Sequence, residues 1–476
     1  MHDMVLPFDP QKEIFSWGPI PGKFFFVSAF IYANMQTFRD RYPGFGWPLS
    51  LFLFQNDAMV FFEEPEPLAR EGRRVFQSFM MPSAIREAEY EQWQKAVHRL
   101  VEMETTIASA NLPLLNEAEL SSLWDSFYDI YLDFWAISLI PELGNYGSLQ
   151  LLEELLLAEL SSASVRADMM ETLTAPEKPS FYQEEEIALA ETVDFLAHQE
   201  DFFWLQNSYA GTRVLPISFF EERKKIISPA IRTDIAGRMN ETKNKRDNMI
   251  EMHHLSDDIQ CIAVAVRKGI EWQDERKKYI FIALHYQDML LHEVARRYDI
   301  PKEELLNAGT FEVSDFLKGK EMRDEWRKRA DGFGILYEHS SEFFYGDAVA
   351  SLWNVYSKHP PEPTQEKDVV LRGTVVSIGA GTIIEGDVRI VRDPFAHPIF
   401  EDGAILVASM TSPEYVFLMK KASAVITDVG GFTSHAAVVS RELGIPCIVN
   451  TKRATSLLKD GDRVRLDPRT GIVEKL

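Results

Sequence analysis

The chain has 476 residues, 46% hydrophobic and 26% charged, an ordinary globular composition and a length that fits roughly two to four domains. Its formal net charge of −23 argues against a nucleic-acid binder, which would turn a basic face to the phosphate backbone. An anionic ligand is still allowed, because one local site can oppose the global field. With only two cysteines, Cys261 and Cys447, the chain is no disulfide scaffold and fits a reducing, cytoplasmic compartment.

The first residues lack the basic start and long apolar core of a signal peptide. The apolar run Phe24–Tyr32 is too short to span a bilayer, so a soluble protein is expected. Residues 1 to about 60, with WGPIPGKFFF at Trp17–Phe26, read as irregular structure leading into short helices. From Pro67 to Tyr356 the periodicity is mostly helical. Helices are expected over Ile85–Ile107, Leu123–Leu139 (apolar nearly all round, hence buried), Ser148–Ser162, Glu184–Gln199 and Arg276–Arg297, with a helical pair over Val313–Arg329. KHPPEPTQEKD at Lys358–Asp368 has three prolines and several charges. It reads as an extended linker or hinge.

Beyond it the pattern changes to period 2 and short apolar runs, with strands such as AILVAS, AVITD, PCIV and RVRLDP. Two helices are expected there, Pro413–Lys421 and His435–Leu443. The fold class is therefore multidomain. Residues 1–357 form a mainly α-helical region that would bind an acceptor and dock partners. Residues 358–368 form the linker, and residues 369–476 a C-terminal α/β domain.

AVITDVGGFTSHAAVVSRELGIPCIV, Ala424–Val449, carries the chemistry. It reads as a buried strand, a Gly430-Gly431 turn able to approach a ligand closely, and a helix capped by Thr433 or Ser434. Gly444 would end that helix and Pro446 prevents its continuation. A glycine turn feeding a helix N-terminus makes an anion site. His435 falls in the first helical turn, where the positive helix end favours neutral imidazole. A phosphoryl group on that ring would meet free N–H groups and the hydroxyls of Thr433 and Ser434, an arrangement suited to nucleophilic catalysis by histidine.

GGFTSHAAVVSRELGIPCIV resembles the swivelling phosphohistidine domain of the PEP-utilising enzymes, a family that includes phosphoenolpyruvate synthase, pyruvate phosphate dikinase and rifampin phosphotransferase. RGTVVSIGAGTIIEGDVRIV resembles that domain's opening and ILVASMTSPEYVFLMKKASAVITD its middle, so the likeness runs from about Val370 to the end. The resemblance implies that His435 is the phosphorylated residue and that Gly430, Gly431, Thr433 and Ser434 hold the phosphate. Residues 1–360 show no ATP-grasp pattern, and neither an ATP-grasp domain nor a PEP-binding barrel is expected in this chain. LHEVARRYDIPKEELLNAGTFEVSDFLKGKEM resembles more diffusely the helical region of rifampin phosphotransferase-like enzymes.

These features lead to a phosphotransferase that is one component of a split system. A separate ATP-grasp chain, binding ATP and Mg, would phosphorylate His435, and an organic acceptor would take the group. The alternatives are a phosphocarrier or regulatory protein, and a non-catalytic small-molecule-binding protein that kept the fold. Candidates for the acceptor site are Trp17 with Gly18 and Pro19, the aromatic series Phe127 to Trp135, and the polar run Lys243, Lys245, Arg246, His253 and His254. Aromatic residues at helical spacing more often form core, and such a polar run is more often a solvated face. No metal site is expected, since neither cysteine has a partner at ligand spacing and no H-E-x-x-H pattern occurs. The oligomeric state is open.

Overall fold

A computed structural model describes residues 6–160, 163–356, 370–392, 394, 400–411, 415–431 and 434–476. The expected linker, residues 358–368, lies outside the described residues.

The N-terminal region holds a sheet that the periodicity did not announce. Strands β1 (Phe15–Pro21), β2 (Ser50–Gln55), β3 (Ala58–Glu63), β4 (Phe333–Tyr337) and β5 (Ser341–Tyr345) form an antiparallel sheet in the order β1-β3-β2-β4-β5. The expectation of irregular structure up to residue 60 is corrected here. SLFLFQ and AMVFFE are buried on both faces, so they lack the polar alternation that marks a half-exposed strand. Asn56 and Asp57, with φ of 53° and 60°, make the two-residue turn between them, residue types that tolerate the left-handed region. β4 joins β2 across most of the helical sequence, pairing Phe333 with Phe54.

Two long helices form the body. Glu117–Glu159 opens on a capping box in which the Asn116 side chain accepts the Glu119 N–H at 3.0 Å and Glu119 reaches back to the Asn116 N–H at 2.8 Å. The segment expected as a separate helix from Ser148 is the continuation of this one. Asp257–Tyr298 runs alongside. Arg276 crosses between the two, donating to the Ser138 carbonyl at 3.0 Å and to Glu142 at 2.5 Å. The expected helix Glu184–Gln199 is two helices, Phe181–Glu191 and Phe195–Phe202. Asp194 breaks it, accepting the N–H groups of Leu196 and Ala197 at 3.0 and 3.2 Å as a new N-cap.

The C-terminal domain is an eight-stranded sheet. Its strands are β6 (Val370–Arg372), β7 (Thr374–Ser377), β8 (Ile384–Ile390), β9 (Ile405–Ala408), β10 (Ala424–Thr427), β11 (Cys447–Val449), β12 (Arg463–Asp467) and β13 (Ile472–Lys475). The order is β6-β13-β12-β8-β9-β10-β11-β7, with β8 to β11 parallel and the other pairs antiparallel. β9, β10 and β11 are wholly buried, as parallel strands covered on both faces must be. One face packs its own small core, including Val388, Ile405, Ile426 and Val464. The other face, with Leu406, Val425, Met419, Ala436 and Val439, joins the main hydrophobic core of the helical region. The two parts are thus docked through shared apolar burial. Among the described residues, no helix is long and apolar enough to cross a membrane.

Candidate phosphohistidine site

β10 ends in a turn and the helix His435–Leu443 follows. Ser434 is its N-cap, accepting the Ala437 N–H at 3.3 Å, and Gly444 closes it with φ of 65°. The alternative cap, Thr433, lies outside the described residues. The turn depends on Gly430. Its φ is +133°, and a Cβ there would come 3.1 Å from Ser434 Oγ. Gly431 is exposed, and a Cβ there would meet nothing within 4 Å. Within the protein the steric demand for glycine therefore falls on Gly430.

His435 is fixed from one side. Its Nδ1 lies 2.9 Å from Thr411 Oγ1, on the segment just past the end of β9. Its Nε2 is buried and has no partner among the described residues. The residue as a whole keeps partial surface exposure, but it is the sealing of Nε2 that governs its titration. Burial, aided by the neighbouring Lys277 ammonium, pulls the imidazole well below its ordinary value, so the neutral form prevails. Sequence reasoning attributed that neutrality to the helix end. Burial and Lys277 are the causes found.

His435 lines a cavity of about 20 Å³, with Ser180, Phe181, Asp274 and Lys277 on the helical region's side and Val439 and Glu442 on the histidine helix. That space suits one water molecule. Ser180 is the N-cap of the helix Phe181–Glu191, so a second helix N-terminus meets the histidine helix at this point. Its donors are taken by carboxyl groups. Asp274 accepts the Phe181 N–H at 3.0 Å and Glu442 accepts the Ser180 hydroxyl at 3.2 Å. Burial pushes Asp274 up to about 6. Burial, with Asp274 nearby, pushes Glu442 up to about 8. Burial also lowers the Lys277 ammonium, against the pull of Asp274.

The docking contact has its own contents. Phe417, on the short helix Val416–Met419, packs edge-on against Tyr182 and Phe219 at centroid distances of 6.5 and 5.8 Å, with the Arg223 guanidinium 5.0 Å from its ring centre. Lys420 pairs with Glu186.

The other candidates do not line the cavity. Trp17 is half-buried on β1, although the N–H of its neighbour Gly18 points at Met410 Sδ, 3.1 Å away and one residue before Thr411. Lys243 is exposed, and Lys245 pairs with Asp168. Arg246 is a buried clamp on the Thr172 and Ala175 carbonyls, at 3.1 and 2.7 Å, and on Glu177. His253 ends its helix and His254 is the left-handed cap after it, φ 51°. Phe127, Tyr128, Tyr131, Phe134 and Trp135 are core. Thr411, Lys277, Asp274, Glu442 and Ser180 were missed. Only Glu442 carried a local signal, because it lies two turns after His435 and so on the same helical face.

Residues 400–471 match the family model described as "PEP-utilising enzyme, mobile domain". The chain carries the mobile domain of the PEP-utilising enzymes. It is similar to the probable phosphoenolpyruvate synthase of Pyrococcus horikoshii, 48% identical over 114 residues, which are 24% of this chain and 14% of that protein. The phosphoenolpyruvate synthase of Pyrococcus furiosus is 47% identical over 127 residues, 27% and 15% of the two chains. That of Aquifex aeolicus is 38% identical over 152 residues, 31% and 17%. The chain thus spans less than a fifth of the length of these relatives. Among solved structures, the aconitase X of Thermococcus kodakaraensis in its holo form is 22% identical, covering 23% of this chain and 98% of its own, with a TM-score of 0.19. That overlap adds nothing to the assignment.

Proposed function

We propose that this protein is a phosphohistidine-dependent phosphotransferase component in which His435 Nε2 carries the phosphoryl group to an organic acceptor held by the helical region. The observation that carries this reading is the environment of the ring. Nδ1 is engaged by Thr411, while Nε2 is buried with no partner among the described residues, and the residue lines a small cavity together with Lys277. If Nδ1 keeps its proton and donates it to Thr411 Oγ1, the lone pair sits on Nε2.

In the first half-reaction Nε2 forms a bond to the donor phosphorus and the donor's P–O bond breaks. In the second, an acceptor oxygen forms the new P–O bond, P–Nε2 breaks, and its electron pair returns to the ring. The helix N-terminus at Ser434 and the Lys277 ammonium are suited to the phosphoryl oxygens in the two halves. The donor is assigned to a separate ATP-grasp chain that holds ATP and Mg. A cytoplasmic setting agrees with the two free cysteines. Because Nε2 is buried in the docked arrangement, charging by a separate chain belongs to an undocked position, and the residue 358–368 segment would serve as the tether.

The test is chemical charging of the whole chain with phosphoramidate. Acid-labile, base-stable phosphate should map to His435 and be lost in His435→Ala. A His435→Ala chain that charges as before would remove this reading.

A further inference from the structure

A second, larger cavity of about 200 Å³ adjoins the first, and Ser180, Phe181, Asp274, Val438 and Glu442 line both. It is more than ten times the space one water needs. Most of its lining comes from the helical region, and a molecule held there would share the wall at Asp274 and Glu442 with the cavity that His435 lines. Its outer lining is acid-rich, with Glu184, Glu271 and Glu275 against Lys178 and Lys278.

These carboxylates are held in place. Glu271 accepts the Glu177 N–H at 2.8 Å and pairs with Lys268 at 2.8 Å, while Glu275 accepts the Tyr90 hydroxyl at 2.5 Å. The two lysines lie over aromatic rings, Lys178 at 6.0 Å from the centre of Tyr90 and Lys278 at 5.8 Å from that of Tyr279. A carboxylate-bearing acceptor would be desolvated against this wall with like charge around it, whereas an ammonium would gain partners.

Resting on the reading above, we propose that this cavity binds the phosphoryl acceptor, and that the acceptor is a hydroxyl compound carrying an amine. The ammonium lies on the Glu271–Glu275 wall, and the hydroxyl reaches the shared wall at Asp274, beside Lys277 and His435. Asp274 is the general base. One of its oxygens holds the Phe181 N–H, and the other is available for the acceptor proton. The step balances on the chain's own groups. The hydroxyl proton passes to Asp274, the acceptor oxygen bonds to phosphorus, the P–Nε2 bond breaks with its electron pair returning to Nε2, and His435 returns to the neutral ring with the proton still on Nδ1, donated to Thr411 Oγ1. A base held near 6 is ionised at neutral pH yet basic enough to help.

The experiment uses the whole chain, charged on His435 with phosphoramidate and freed of reagent. It is then chased with ethanolamine, ethylene glycol or glycolate, three probes of similar size that differ in charge. Discharge should be fastest with ethanolamine, about tenfold over glycolate, the scale of one partly screened charge pair. Glu271→Gln and Glu275→Gln should each shrink the ethanolamine-to-glycolate ratio, and Asp274→Asn should slow discharge by every probe. Equal rates, a preference for glycolate, no discharge by ethanolamine, or a ratio unmoved in both Glu variants would each overturn the acceptor class while phosphate remains on His435. Failure to charge His435 at all would instead strike the reading beneath it.

Discussion

His435 is held by one hydrogen bond at Nδ1 while Nε2 has no partner among the described residues, and its reactivity follows from that asymmetry. Thr411 Oγ1, 2.9 Å from Nδ1, fixes the ring orientation, and in the proposed reading it accepts the Nδ1 proton. Thr411→Val keeps the shape and removes the bond, so phosphoramidate charging of His435 should slow by about tenfold, the effect of a net hydrogen bond of ~1.4 kcal/mol. Thr411→Ser should restore most of the rate. A valine variant that charges normally would remove Thr411 from the mechanism.

The pH behaviour has a defined sign. The docked His435 titrates below its ordinary 6.5 because of burial and Lys277. A group with a lowered value supports the docked state above its unperturbed pKa and withdraws that support as pH falls through the docked value. Histidine NMR of the docked chain should therefore show this ring still neutral at pH 6.5, and acidification below that should favour undocking. A ring titrating at 6.5 would show that burial does not act on it.

At this scale the sequence disclosed what is local. Ser434, His435 and Gly444 stand in one short segment whose cap, first turn and stop have recognisable residue types. Thr411 is separated from His435 by 24 residues. Asp274 and Lys277 come from a helix of another part of the chain, where D-E-R-K-K reads as an ordinary solvated run. Nothing in their own neighbourhoods marks them.

Among the elements, the turn before the histidine helix separates two adjacent glycines. Gly430 has φ +133° with Ser434 pressing on its α-carbon, whereas Gly431 has room for a methyl. Gly430→Ala should destabilise the domain by about 1–3 kcal/mol and displace the cap, lowering both the thermal midpoint and the rate of charging. Gly431→Ala should leave the midpoint nearly unchanged. Equal losses in the two variants would contradict the turn described here.

The legibility of other elements follows similar lines. Long amphipathic helices such as Ser83–Ser109 declare themselves by period. β2 and β3 do not, because burial on both faces erases alternation and β4 arrives from almost 300 residues away. The helix break at Asp194 was missed because a capping residue inside a polar stretch looks like one more exposed side chain.

For the molecule as a whole, docking and charging compete for the same face. The mobile domain shares its apolar face with the helical core, and Phe417 is seated among Tyr182, Phe219 and Arg223. Phe417→Ala removes a half-buried aromatic anchor and its cation–π contact, a loss of about 1–2 kcal/mol. In the proposed cycle this variant should charge faster with phosphoramidate, because Nε2 is uncovered more of the time. It should discharge to acceptor more slowly, because the docked state is rarer. Hydrogen exchange over Ser180–Glu191 reports the undocking directly. Slower charging together with unchanged exchange would contradict a face shared by the two steps.

The central claim is that Nε2 of His435 bears the phosphoryl group while Nδ1 stays bonded to Thr411. Phosphorus-coupled NMR of ¹⁵N-histidine-labelled chain, charged with phosphoramidate, measures it most directly. The predicted result is one phosphohistidine, at His435 among the 11 histidines, with phosphorus coupled to Nε2 and a proton retained on Nδ1. Phosphorus coupled to Nδ1, or placed on another histidine while His435 stays unmodified, would contradict it.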